Sequence, residues 1–279
     1  MSPIHDQSYR HYGGGRAIPG RSWTVIAWAG IKTMIRKRAF LGLLIFGLAP
    51  FLVRAVQMWI SSNYPQAAIL NPTPETFRQF LEQQDFFVFT ITVYVGAGLI
   101  ANDRRANALQ IYLSKPLSRV DYVVGKLATL LIFLTAVTWV PGILLLVMQI
   151  LFAGNLAFLK ANLFLFPAIT VFAAVTVLTS SFTMLALSSL SKSRRFVAVM
   201  YAGLIFFTAA MYQALRGITG TRAWVFISPG DVLDVIGDRI FRSTEPENLL
   251  PIALVTVVVL LAASVFVLER RVRGVEVVT

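Results

Sequence analysis

The chain has 279 residues, 57% of them hydrophobic and 14% charged, with a mean hydropathy of +0.71; soluble domains carry about 25% charge, so a soluble globular enzyme is excluded and an all-α membrane protein is expected. It has no cysteine, which excludes disulfides and Cys-ligated zinc or iron–sulfur sites. The formal net charge of +12 alternates in excess from loop to loop, a distribution that argues against nucleic acid as a partner.

Residues 1–20 are rich in Gly, Tyr, His and Arg and hold no apolar run. They read as a disordered arm, neither a signal peptide nor a folded domain. His5 and His11 lie there without further well-spaced ligands, so no metal site is expected. Over 21–38, Trp23, Ile26, Ala27, Gly30, Ile31, Met34 and Ile35 form an apolar stripe opposite Thr24, Lys32, Thr33, Arg36 and Lys37. That pattern predicts a helix lying in the membrane interface, in contact with membrane lipids.

The remainder, 39–279, is read as one six-helix transmembrane domain. A bilayer core needs about 20 apolar residues per helix, and the stretches 39–60, 86–101, 127–152, 163–190, 196–215 and 249–268 supply them. The second is short and must draw on its flanks. Pro50, Pro141 and Pro167 mark expected kinks. No Asp, Glu, Lys or His falls inside these stretches, and Arg54, near an end, is the one charge. A proton-coupled carrier therefore loses its usual ionisable group. There is no H-E-x-x-H and no P-loop, so no catalytic or metal residue is assigned, and the chain by itself holds no nucleotide. Hydroxyls recur in the spans, at Thr90, Thr92 and Tyr94, through 170–183, and at Tyr201 and Tyr212. Such groups either bond their own helices or line a substrate pathway; Thr90, Tyr94, Tyr201 and Tyr212 are the pathway candidates.

With a cytoplasmic N-terminus, 18 of the 25 Lys and Arg fall on inner segments while 8 of the 13 Asp and Glu fall on outer ones. A multi-pass protein of the cell (inner) membrane with both termini cytoplasmic is the expectation. The outer segments are 61–85 and 216–248. In the second, Ser228-Pro229-Gly230-Asp231 reads as an N-cap, a Pro at N1 and an acidic N3. It predicts a short amphipathic helix with Val232, Val235, Ile236 and Ile240 on one side.

Between the second and third spans, residues 96–126 read GAGLIANDRRANALQIYLSKPLSRVDYVVGK. Leu109, Tyr112 and Leu113 stand at i, i+3 and i+4, the spacing of a short amphipathic helix that Pro116 ends. A two-turn apolar knob in a loop suits a partner's groove. This stretch resembles the first cytoplasmic loop of type-2 ABC exporter permeases, with Asp103, Leu109, Ile111 to Leu113, Ser114, Pro116, Arg119, Gly125 and Lys126 matching the family pattern. Asn107 and Ala108 replace the usual Gly-Thr; Asn is the next best residue for a left-handed turn. The run around Ser188 to Arg195 is similar to the family's second cytoplasmic loop.

The resemblance implies a permease subunit that forms the transmembrane pathway with a second copy or homologue. ATP and Mg would be bound and hydrolysed by a separate ABC ATP-binding subunit, so this chain would carry no cofactor and no enzyme activity. It implies a coupling helix that docks on that ATPase, with Asp103, Arg105, Leu109, Tyr112, Leu113, Pro116 and Arg119 as coupling residues. Trp23, Ile26, Ile31 and Met34 would belong to an interfacial elbow helix. The alternative is a non-transporting ABC membrane module that passes ATPase motion to a periplasmic partner at 216–248.

Overall fold

The computed structural model describes residues 22–107, 118–154, 157–242 and 248–272, and every regular element among them is helical. Six helices are long and apolar enough to cross a membrane: Arg38–Asn63, Pro74–Arg105, Arg119–Ala153, Leu165–Leu190, Arg194–Thr219 and Leu250–Arg271. The arm 1–20 and the knob residues Leu109, Tyr112, Leu113 and Pro116 lie outside the described residues.

Two of the three prolines break their helices where backbone chemistry requires it. Proline clashes with the carbonyl four residues before it. Accordingly α2 (Arg38–Phe46) ends four residues before Pro50 and gives way to α3 (Ala49–Asn63), and α6 (Arg119–Val137) ends four before Pro141 and gives way to α7 (Trp139–Ala153). The kink expected at Pro167 is absent. After a short α8 (Ala157–Ala161), helix α9 (Leu165–Leu190) begins only two residues before Pro167, so no helical carbonyl stands at position 163 to clash.

The second span differs most from its hydropathy reading. A helix that was expected to start near Phe86 starts at Pro74: α4 (Pro74–Ile91) is opened by Thr73, whose side chain and that of Thr76 form a reciprocal capping box. Phe77, Phe80, Leu81, Gln84, Phe87 and Val88 bury one face at helical spacing. The short apolar stretch thus draws on its N-terminal flank, and Arg78, Glu82 and Asp85 ride on a membrane-length helix. The expectation of charge-free spans is corrected on this point.

Helix α9 is the hub. It packs against α4, α6 and α7, against α10 (Arg194–Thr219), α11 (Pro229–Ile240) and α12 (Leu250–Arg271). Around it lie three apolar clusters. One, at the end carrying the 107–118 segment, is built on Phe40, Ile100, Tyr122, Leu130 and Met184. A second holds Met58, Phe77, Phe80, Leu145 and Phe172. The third, at the opposite end, joins Tyr212, Val225, Val232, Val235, Ile236 and Ala253.

Helix α1 (Ser22–Ile35) lies along α6 and buries Ala27 and Ile31 there. Glycine makes the approach close: a Cβ on Gly125 would stand 2.7 Å from Ile26 Cβ and 2.9 Å from the Trp23 carbonyl oxygen. Ile26 and Met34 pack on the same cluster, while Trp23 and Trp28 are exposed. Helix α11 begins as its sequence predicts. The Ser228 hydroxyl accepts from the Asp231 N–H, Pro229 takes the first turn, and Val232, Val235 and Ile236 face the bundle.

Candidate functional site at the loop end of the bundle

The segment 107–118 leaves and re-enters the bundle through two roots that are fastened to each other. On the outgoing side, α5 (Ala101–Arg105) carries Asp103; on the returning side, Ser118 caps α6 by accepting from the Asp121 N–H. Lys126 Nζ pairs with Asp103 Oδ2 at 2.7 Å, and the Tyr122 hydroxyl donates to the same oxygen at 2.8 Å. Lys126 Nζ also lies 5.5 Å from the centre of the Tyr122 ring, and that ring is fully buried. A charge-assisted hydrogen bond between groups so little exposed is stronger than a surface ion pair. At the outgoing root Asn107 has φ 51°, the left-handed conformation that Asn adopts more readily than most residues.

The second loop holds the first. After α4 the backbone widens into a π turn over Thr92–Gly96 and then turns again before α5. That interruption strands two amide donors, and Ser188 of α9 takes both: its Oγ accepts from the Ile100 and Ala101 N–H groups at 3.1 Å each. The same hydroxyl donates to the Ala97 carbonyl at 3.1 Å, so all three of its bonding positions are filled. The Arg104 guanidinium donates to the Ser189 carbonyl. Arg194 donates to the Tyr94 carbonyl at 2.8 Å and stands 5.4 Å from the Tyr94 ring centre, with Lys37 Nζ at 5.9 Å.

Of the coupling candidates, Asp103 is therefore a structural anchor of the loop roots, and Arg105 and Arg119 are exposed beside them. Leu109, Tyr112, Leu113 and Pro116 belong to the segment outside the described residues. The four pathway candidates do not all converge on one cavity. Thr90 donates to its own helix at the Phe86 carbonyl, Tyr94 sits at the loop end, and Tyr212 is buried in the cluster at the opposite end. Thr90 and Tyr94 line one pocket with Arg194 and Arg195, and Tyr201 lines a separate one, its ring stacked on Phe89 at 5.8 Å.

Two groups escaped hydropathy reading. Arg78, 3% exposed, donates to Asp234 at 2.8 Å and Asp238 at 3.1 Å and lies 5.3 Å from the Phe172 ring centre. This clamp holds α11 on α4; a Cβ on Gly237 would meet Arg78 Nε at 2.7 Å, so glycine admits the guanidinium. Burial pushes the Asp234 carboxyl above its ordinary range, and the Arg78 charge opposes that rise. Asp85, one α-helical turn beyond Glu82, faces the Tyr201 cavity. The apolar periodicity from Phe77 to Val88 is the signal that would have placed all three charges on a bundle helix.

Six membrane-length helices around one hub, with two loops knotted together at one end, fit a multi-pass membrane protein. No protein-family model matches the chain, and no curated protein matches it.

Proposed function

We propose that this chain is the membrane subunit of an ATP-driven exporter of the type-2 ABC permease kind, coupled through segment 107–118 to a separate ATP-binding subunit. The observation that carries the reading is the fastening of both roots of that segment, through Asp103, Tyr122 and Lys126, to α5 and α6. A displacement imposed on the segment by a docked ATPase would move two spans together, and Ser188 and Arg104 would pass it to the hub helix. A loosely tethered loop would absorb the same displacement. Helix α1, amphipathic and folded along α6, suits the role of interfacial elbow helix. The first, fifth and sixth spans bury little of their most apolar stretches, which leaves broad faces for lipid and for a second permease subunit. In the outer segment, Val232, Val235 and Ile236 are taken up by the bundle, which favours an exporter over a module built to hold a periplasmic partner there. Both termini are assigned to the cytoplasm on the distribution of Lys and Arg.

The test is reconstitution. The purified chain in nanodiscs should hydrolyse no ATP. Addition of its ATP-binding subunit should produce vanadate-sensitive hydrolysis that the Leu109→Asp, Tyr112→Asp double variant abolishes. Hydrolysis by the chain alone, or coupling that survives the double variant, would refute the proposal.

A further inference from the structure

The cavity that Tyr201 lines has a volume of ≈ 100 Å³ and lies between α4, α9, α10 and the start of α11. A single water needs about 10–15 Å³ by this measure, so the space has room for a small molecule. Its polar wall is a stripe on α9, Thr176, Thr179, Ser180 and Thr183, at i, i+3, i+4 and i+7. At its end stands Asp85. The rest is apolar, with Val88, Phe89, Leu204, Ile205 and Leu260 prominent.

The stripe behaves unlike most other threonines of these helices, Thr92 being a further buried hydroxyl without a partner among the described residues. Thr90, Thr138, Thr170 and Thr256 each donate to the carbonyl four residues back, at 2.8 to 2.9 Å. That bond satisfies a hydroxyl in an apolar setting without outside help. Thr176, Thr179 and Thr183 are 3%, 4% and 6% exposed, and their hydroxyls have no hydrogen-bond partner among the described residues. A buried hydroxyl without a partner is costly, which marks these three as groups that await one. Asp85 lines the same cavity and is partly buried. It makes no hydrogen bond or ion pair among the described residues, although Arg78, which pairs with Asp234 and Asp238, adds positive charge near it. Asp234 and Glu82 add negative charge near it.

We propose that this cavity is a binding site for a small organic cation, an amine whose ammonium pairs with Asp85 and whose body runs along the threonine stripe against Phe89 and the aliphatic wall. Length decides between this and a bare metal ion. Thr176 and Thr183 are about 10 Å apart along the helix, whereas a hard cation holds its oxygens within about 2.6 Å. An ion would satisfy one end of the stripe only, and the apolar wall offers it nothing. The site lies within one chain and is separate from the loop roots, so it stands whether or not the ATPase coupling proposed above is correct.

The experiment uses the full chain in nanodiscs and butylammonium as probe, with butanol and butyrate as neutral and anionic controls, sodium as the inorganic arm, and empty nanodiscs as background. Saturation-transfer NMR and thermal stabilisation are the readouts. Butylammonium should bind at least tenfold more tightly than butanol, Asp85→Asn should remove that preference, and Thr176→Val with Thr179→Val should weaken binding several-fold. The chain has no cysteine, so Thr179→Cys supplies a measurement that does not depend on the Asp85 variant folding normally. It should react at least tenfold faster with a cationic methanethiosulfonate than with an anionic one, and butylammonium should protect it. Equal binding of butylammonium and butanol, protection by sodium alone, or a Thr179→Cys thiol indifferent to reagent charge would overturn the proposal.

Discussion

Asp103 and Lys126 stand 23 positions apart in the chain, yet their side chains meet at 2.7 Å and close the base of the loop between the second and third spans. Tyr122 adds its hydroxyl to the same carboxylate oxygen, so the pair has a third member. Replacing Asp103 by Ala removes the acceptor of both Lys126 and Tyr122 and leaves the ammonium beside the Tyr122 ring. The expected loss is on the order of 2 kcal/mol, read as a lower thermal midpoint of the purified protein. Exchanging the charges, Asp103→Lys with Lys126→Asp, should recover part of it, whereas two structurally independent residues would give additive losses.

The Arg78 clamp predicts an asymmetry. Arg78→Met removes a buried cation and leaves Asp234 and Asp238, whose side chains are 43% and 22% exposed and can be hydrated. Asp234→Asn with Asp238→Asn leaves a guanidinium 4% exposed with Glu82, at 3.9 Å, as its remaining ion pair among the described residues. Leaving a charge buried costs more than removing it. The double Asn variant should therefore be less stable than Arg78→Met, and limited proteolysis should cut next to α11 faster in it.

Ser188→Ala should strand the Ile100 and Ala101 amide donors, a cost of about 1–3 kcal/mol for each group left unsatisfied. Hydrogen exchange at those two amides should rise in the variant while exchange in α12 stays as in the wild type. Unchanged protection at both amides would show that Ser188 does not hold the break after the π turn.

Loss of the knob should act on a partner and not on the fold. Each buried apolar side chain contributes about 1.5 to 3 kcal/mol, so Leu109→Asp with Tyr112→Asp should weaken docking of the ATP-binding subunit by a factor of about a hundred or more. The amount of chain in the membrane should be unchanged, and Arg104→Ala, which leaves the apolar face intact, should retain the subunit. Normal retention by the double Asp variant would remove this segment as the docking element.

Orientation is open to direct measurement in a chain without cysteine. Single cysteines at Asn71 and Ser243 should react with an impermeant thiol reagent on intact cells, and those at Ser114 and Ser193 should not. The reverse pattern would invert the assignment.

Local chemistry accounts for much of this architecture. Pro50 and Pro141 dictate their helix breaks because the clash is with a carbonyl four residues away, and Ser228-Pro229-Gly230-Asp231 carries its own cap. Asn107 takes the left-handed turn that its residue type permits. Six apolar stretches follow from composition alone, since a backbone in lipid must satisfy itself within helices. What hydropathy could not settle is where the second span begins. An average over a window treats Arg78, Glu82 and Asp85 as the end of a membrane helix, whereas tertiary packing supplies Arg78 with two carboxylates from a helix more than 150 residues later. The fastening of Asp103 to Lys126, the three bonds of Ser188 and the facing of Asp85 onto a threonine stripe are likewise relations between distant segments. Each residue was visible in the sequence, but its partner is chosen by how the helices pack around α9, because hydrogen bonds and ion pairs depend on distance in space and not on spacing along the chain.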